Sequence, residues 1–164
     1  MPDDRRSVPL DLVSGSEGAI IGTVVCAAVI AYGVGHADST AQLSLMIIVT
    51  VGVYWIAHLH AATISSALTQ GHHPAKALRH ALTEAAPVAA ASILPLAVLL
   101  LTRLAGASLD ASAWTALLVT IALLAFYSYR AGARGGLDAK GRIASAVAGA
   151  GIGVLVALLK VALH

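Results

Sequence analysis

Long apolar runs separated by short polar breaks dominate the chain. The runs cover roughly 18–35, 40–70, 87–104, 114–129 and 143–161, and the breaks read GHADSTAQ, the stretch 71–86, GASLDAS and RAGARGGLDAKGR. About 20 apolar residues in a helix reach across a hydrocarbon layer of about 30 Å, twice the length a barrel strand needs. Backbone polar groups in lipid are satisfied inside a helix or a closed barrel, so runs of this length predict helices. The expected fold is an all-α integral membrane protein: one domain over 1–164 with five transmembrane helices and a short cytoplasmic interfacial amphipathic helix.

The ends of these elements carry local signals. SGSE places Ser14 and Glu17 at capping-box spacing ahead of the first span, and Ser39 with Gln42 repeats that spacing ahead of the second. The second helix is expected from Thr40 to Gln70, with its last turns in water or at the interface. Gly71 is its stop and Pro74 the next start. In PAKALRHALTEA, Ala75, Leu78, Ala81 and Leu82 fall on one side and Lys76, Arg79, His80 and Thr83 largely on the other. That pattern predicts a separate surface helix within a cytoplasmic connection over 71–86. Pro95 sits near the middle of the third span and predicts a kink that neighbouring helices or Ser92 help to satisfy. Gly18 and Gly22 form a GxxxG, and Ser145, Gly149 and Gly153 form a longer seam of small residues suited to helix packing or to a dimer face.

Composition agrees with lipid as the solvent. Of 164 residues, 59% are hydrophobic and 11% charged, against about 25% charged in soluble domains. A net charge of +2 argues against nucleic acid as a partner. The lone Cys26 lies in an apolar run, has no intrachain disulfide partner and reads as a small packing residue. Arg5 and Arg6 before a hydrophobic run resemble the start of a signal peptide. Asp3, Asp4, Asp11 and four further spans make a retained first span the expectation, with 1–13 as a cytoplasmic tail. Eight of the ten Lys and Arg residues fall on one side: Arg5, Arg6, Lys76, Arg79, Arg130, Arg134, Lys140 and Arg142. Arg103 and Lys160 fall on the other. The positive-inside rule therefore puts the N-terminus in and the C-terminus out, in the cytoplasmic membrane. Trp114, Tyr127 and Tyr129 stand where aromatic belts form. The chain carries no catalytic motif, phosphate loop or zinc pattern, so it is not expected to be an enzyme.

Candidate chemistry concentrates in TVGVYWIAHLHAATISS, residues 50–66. Tyr54, His58 and Ser65, with Thr50 and Ala61, recur at three to four residues and share one helical face. His60 lies about 200° around the helix from His58, so the two cannot be adjacent ligands for one ion. Ionisable groups inside a span mark ion or proton paths, and histidine titrates near neutral pH. The plainer alternative is a hydrogen bond from each histidine to a neighbouring helix. Glu17 reads as a capping residue, as an ion-binding carboxylate at the cytoplasmic mouth, or as both. His72, His73 and His80 with Glu84 form a further, weaker metal candidate. Haem ligation by His58 or His60 would need a dimer axis to supply the second histidine.

The order of these features resembles the vacuolar iron transporter family: five spans, GSEG opening the first, a long second helix ending TISS, a helical connection, and a glycine-rich last span after RAGARGGLDAKGR. The resemblance implies a homodimeric, proton-coupled cation transporter embedded in the bilayer, with a divalent transition-metal ion as substrate and no resident cofactor. It places Glu17 where that family has the ion-contacting aspartate of its first span. Ile56 falls at the family's methionine and His60 at its glutamate. Exchanging a thioether for an alkyl group and a carboxylate for imidazole changes the ligand set, and Glu17 with His60 becomes the candidate metal pair. The ion or proton path would then include Glu17, Tyr54, His58, His60 and Ser65. The competing reading is a scaffold or partner subunit that transports nothing.

Overall fold

Each polar break has to end one helix and start another within a few residues, so the caps come first. In the computed structural model, which describes the backbone of residues 11–70 and 74–163, five helices follow one another. They are α1 Asp11–Gly33, α2 Thr40–Gln70, α3 Pro74–Leu104, α4 Leu109–Arg134 and α5 Ala139–Leu163. Ser39 Oγ accepts the Gln42 N–H at 3.2 Å, and Gln42 Oε1 accepts the N–H of Asp38 at 3.0 Å, one residue earlier than a capping box predicts. Ser108 caps α4 through the Ala111 N–H, and Asp138 accepts the Gly141 N–H at the head of α5. Gly106 and Gly136, at φ +90° and +77°, turn the chain after α3 and α4 in a conformation that other residues adopt only at a cost.

The chain is an all-α, multi-pass membrane protein. Among the described residues, α2 to α5 each hold a stretch long and apolar enough to cross a bilayer, and Glu17–Gly33 of α1 is a shorter apolar helix. Apolar side chains cover the outside as well as the core: Val53 is 62% exposed, Val147 66% and Leu155 66%. A helix that is apolar all round belongs in lipid.

Two local expectations change. α1 begins at Asp11, so Ser14 stands inside the helix and cannot be its N-cap. Nothing between Asp11 and Glu17 interrupts a helix once Pro9 has been passed. The segment expected as a separate surface helix is continuous with the third span, because α3 runs unbroken from Pro74 through Pro87 and Pro95. The alanine-rich surroundings of Pro87 favour helix, and a membrane helix tolerates proline where its neighbours hold it. Ser92 Oγ donates to the Ala89 carbonyl at 2.7 Å, not to that of Ala91, which Pro95 deprives of its usual N–H. The 1–10 tail, Gly71, His72 and His73 lie outside the described residues, as do the side chains of Ser14, Ser66, Lys76, His80 and Glu84.

α1 is the central helix and touches each of the other four. α2 packs on α3 and α1, α5 packs on α4 and α1, and α3 meets α4. The interior joins Cys26, Ala27, Ile30 and Ala31 of α1 to Leu43, Ile47 and Val51 of α2, Leu99 of α3, and Ala113, Ala116 and Leu117 of α4. Glycines decide the closest crossings. A Cβ on Gly22 would collide with the Val88 backbone, its Cα at 2.9 Å. On α5, a Cβ at Gly149 would reach the Leu124 carbonyl at 2.5 Å, and one at Gly153 would reach Ile121 Cα at 3.0 Å. Ser145 faces Gly132 in the same antiparallel seam. The Ser145/Gly149/Gly153 row therefore packs α5 onto α4 within one chain and is not left over as a dimer face. Hydroxyls inside these helices bond back to their own backbone: Thr23 to Ala19, Thr63 to Leu59, Thr102 to Val98 and Thr120 to Leu117.

Gly22→Ala and Gly149→Ala are each expected to destabilise the protein by about 1–3 kcal/mol, because the added methyl meets backbone that cannot turn aside. Gly52→Ala and Gly151→Ala add a methyl where nothing lies within 4 Å and are expected to be neutral or mildly stabilising. Thermal unfolding of the four variants in one detergent checks the contrast.

Candidate functional site

The helical period of α2 separates its two histidines. Leu43, Ile47 and Val51 mark the face turned to α3 and α1, and continuing that face brings in Tyr54 and His58, both half-buried. Their rings stack at 6.4 Å between centroids and 18° between planes. The indole N–H of Trp55, one residue further round, is buried without a hydrogen-bond partner. A buried N–H without an acceptor is costly, so this stretch holds polar capacity that apolar packing does not use. His60 lies on the other side, exposed between Ile56 and Ile64, which are themselves 60% and 47% exposed. Ser65 lies on the His58 side but is exposed, close to where α2 ends.

Glu17 is exposed on α1, and His60 is exposed on α2. Among the described residues, no three His, Cys, Asp or Glu side chains gather where they could hold a metal ion. The Glu17–His60 pair implied by the family resemblance is thus not closed into a ligand cluster by a third such residue of the described chain.

A cavity of about 540 Å³ opens between α1, α3 and α4. Ala19, Ala86, Pro87 and Ala90 form its small-residue wall, and Phe126, Tyr127, Arg130 and Arg134 of α4 stand along the other side. Phe126, Arg130 and Arg134 follow at i, i+4 and i+8, so they line up on one face of α4. The Arg130 guanidinium lies 5.8 Å from the Phe126 ring centroid. None of the five residues singled out from the sequence lines this cavity.

At the opposite end of the bundle, cations are tied down. Lys160 Nζ donates to Asp110 Oδ1 at 2.6 Å and sits 4.2 Å from the Trp114 ring centroid; Lys160 is 2% exposed. Arg103 joins two connections by donating to Thr40 Oγ1 at 2.8 Å and to the Ala107 carbonyl. Beside them His36 stacks on Tyr32, with Nδ1 2.9 Å from the Tyr32 carbonyl oxygen.

The cavity arginines carried a sequence signal in their spacing from Phe126, although as charges they first bear on orientation. The Asp110–Lys160 pair had none, since the two residues are far apart in sequence and only the packing of α5 on α4 joins them. Comparison of the chain with protein-family models, with curated proteins and with solved structures finds no match.

Asp110→Asn removes the counter-charge of an enclosed lysine. It is expected to cost about 1–2 kcal/mol, below the 3–5 kcal/mol typical of breaking a fully buried pair, because Asp110 is 67% exposed. Lys160→Met keeps the volume beneath Trp114 without the charge and is expected to stay within about 1 kcal/mol of the parent. Chemical denaturation in detergent measures both.

Proposed function

We propose that the chain is a small secondary transporter of the cytoplasmic membrane, N-terminus inside, which couples cation movement to protons and works as a homodimer. The observation that carries this reading is the Tyr54–His58 stack on the inward face of α2, within the apolar stretch Thr40–Ser65. An ionisable ring at that depth is expensive unless it serves a path, and imidazole exchanges protons near neutral pH. The unpartnered Trp55 N–H beside it adds a second polar group to the same stretch. The family resemblance supports a proton-coupled divalent cation, and the exposure of both Glu17 and His60 supports a second copy completing any site they share.

The orientation rests on charge. Arg79, Arg130, Arg134, Lys140 and Arg142 fall at the end where α2 gives way to α3 and α4 to α5. The two cations of the other end are both engaged, with a carboxylate, a hydroxyl and a carbonyl as acceptors. That asymmetry favours the first end facing the cytoplasm.

The protein reconstituted in liposomes is expected to take up Mn²⁺ or Fe²⁺ against an imposed proton gradient. His58→Ala should lower that flux about tenfold or more while His60→Ala retains it, in line with the contribution of a positioned proton-transfer group. The reverse ranking would move the path to the outward face of α2 and make it an intersubunit one. Flux no greater than in empty liposomes would sink the transport reading and leave the scaffold reading in its place.

A further inference from the structure

We propose that the cavity between α1, α3 and α4 binds an anionic phospholipid, its phosphate held by Arg130 and Arg134 and part of one acyl chain laid against the small-residue wall. The first support is chemical. Two guanidinium groups one helical turn apart, with Tyr127 also in the lining, match a phosphate that needs several charge-assisted donors. Among the described residues no Asp or Glu lines the cavity, and Glu17, exposed near Ala19 on α1, is not part of its wall.

The second support is position. Every α3 and α4 residue of the lining falls inside a stretch apolar enough to span the bilayer, Ala81–Leu104 or Leu109–Arg134, and close to the polar end of that stretch. A soluble anion would have to enter the headgroup layer to reach the arginines, where phospholipid phosphate is already the surrounding solvent. Basic pockets between transmembrane helices at such a depth suit anionic headgroups.

The third support is shape. Ala19, Ala86, Pro87 and Ala90 present a shallow apolar trough between α1 and α3, and Phe126 closes it opposite. The trough exists because α1 and α3 approach closely at Gly22 and Val88 with only small residues beside the contact. A volume of about 540 Å³ lies in the range of small-molecule sites, enough for a headgroup and the first part of a chain. The rest of the lipid would lie on the apolar outer surface.

The test is native mass spectrometry of the full chain released from detergent after incubation with equal amounts of phosphatidylglycerol and phosphatidylcholine of identical acyl chains. The expected result is a preference for phosphatidylglycerol of about tenfold, lost in the double variant Arg130→Gln/Arg134→Gln and restored in Arg130→Lys/Arg134→Lys. Lys140→Gln/Arg142→Gln, which changes two cations outside the cavity, should keep the preference. Inorganic phosphate added in excess should not displace the lipid. Equal retention of the two lipids, displacement by phosphate alone, or a preference that survives the Gln variant would each overturn the proposal. Melting curves of all variants show whether a lost preference reflects a lost fold, and the Lys variant keeps the question decidable if the Gln variant does not fold.

Discussion

The bundle depends on how closely α1 can approach its neighbours. In lipid, burying an apolar side chain between helices gains little over leaving it in acyl chains, so association rests on close van der Waals contact and on polar groups finding partners. α1 meets that requirement with Ala19, Gly22, Thr23, Cys26 and Ala27, all small and all buried, along the length that contacts four other helices. Gly22 is the tightest point, set against the backbone of Val88 just after Pro87. That contact helps explain why α3 continues as one helix across Pro87. The neighbour that a proline-containing membrane helix needs is already in place. It also keeps the flanking alanines of α1 and α3 apart by only a shallow trough, and from that trough the cavity arises.

α5 uses the same principle against α4, through Gly149 and Gly153 in register with Leu124, Ser128 and Ile121. Once both small-residue seams are spent inside the chain, the outward faces of α2 and α5 are left with large apolar side chains, and α2 also carries His60. A surface of this kind is at home in lipid without further explanation. The His60 imidazole on that face is ill suited to lipid, which is why the two histidine variants separate an intrachain from an intersubunit path.

Much of this was legible along the sequence because membrane helices are specified by length and apolar content. The bounds of α2 at Thr40 and Gln70, the Ser39 cap, the start at Pro74 and the opposition of His58 and His60 all follow from local pattern. Where local pattern misled, a nearby sequence had two uses. SGSE has the spacing of a cap, yet a helix already under way from Asp11 absorbs it. PAKALRHALTEA has the amphipathicity of a surface helix, yet it is also the first turns of α3. The partners of the two seams, the Asp110–Lys160 pair and the cavity were not legible at all. They arise from contacts between elements distant in sequence, and no periodicity within one helix records its neighbour.

The two ends of the bundle show why charge count and charge environment carry different information. Counting assigned Arg103 and Lys160 to the minority side simply as two cations. Their surroundings are those of structural residues: Lys160 is enclosed by Asp110 and Trp114, and Arg103 bridges the start of α2 to the turn after α3. Lys160 has its charge matched by a carboxylate, and Arg103 has its donors committed to a hydroxyl and a carbonyl. At the other end, Arg130 is exposed, stands over an aromatic ring and borders an open cavity that no carboxylate of the described residues lines. The asymmetry in charge between the two ends of the bundle is thus more than a count. One end holds Lys160 against Asp110 and Arg103 against Thr40 and Ala107, and the other sets Arg130 at the border of an open cavity.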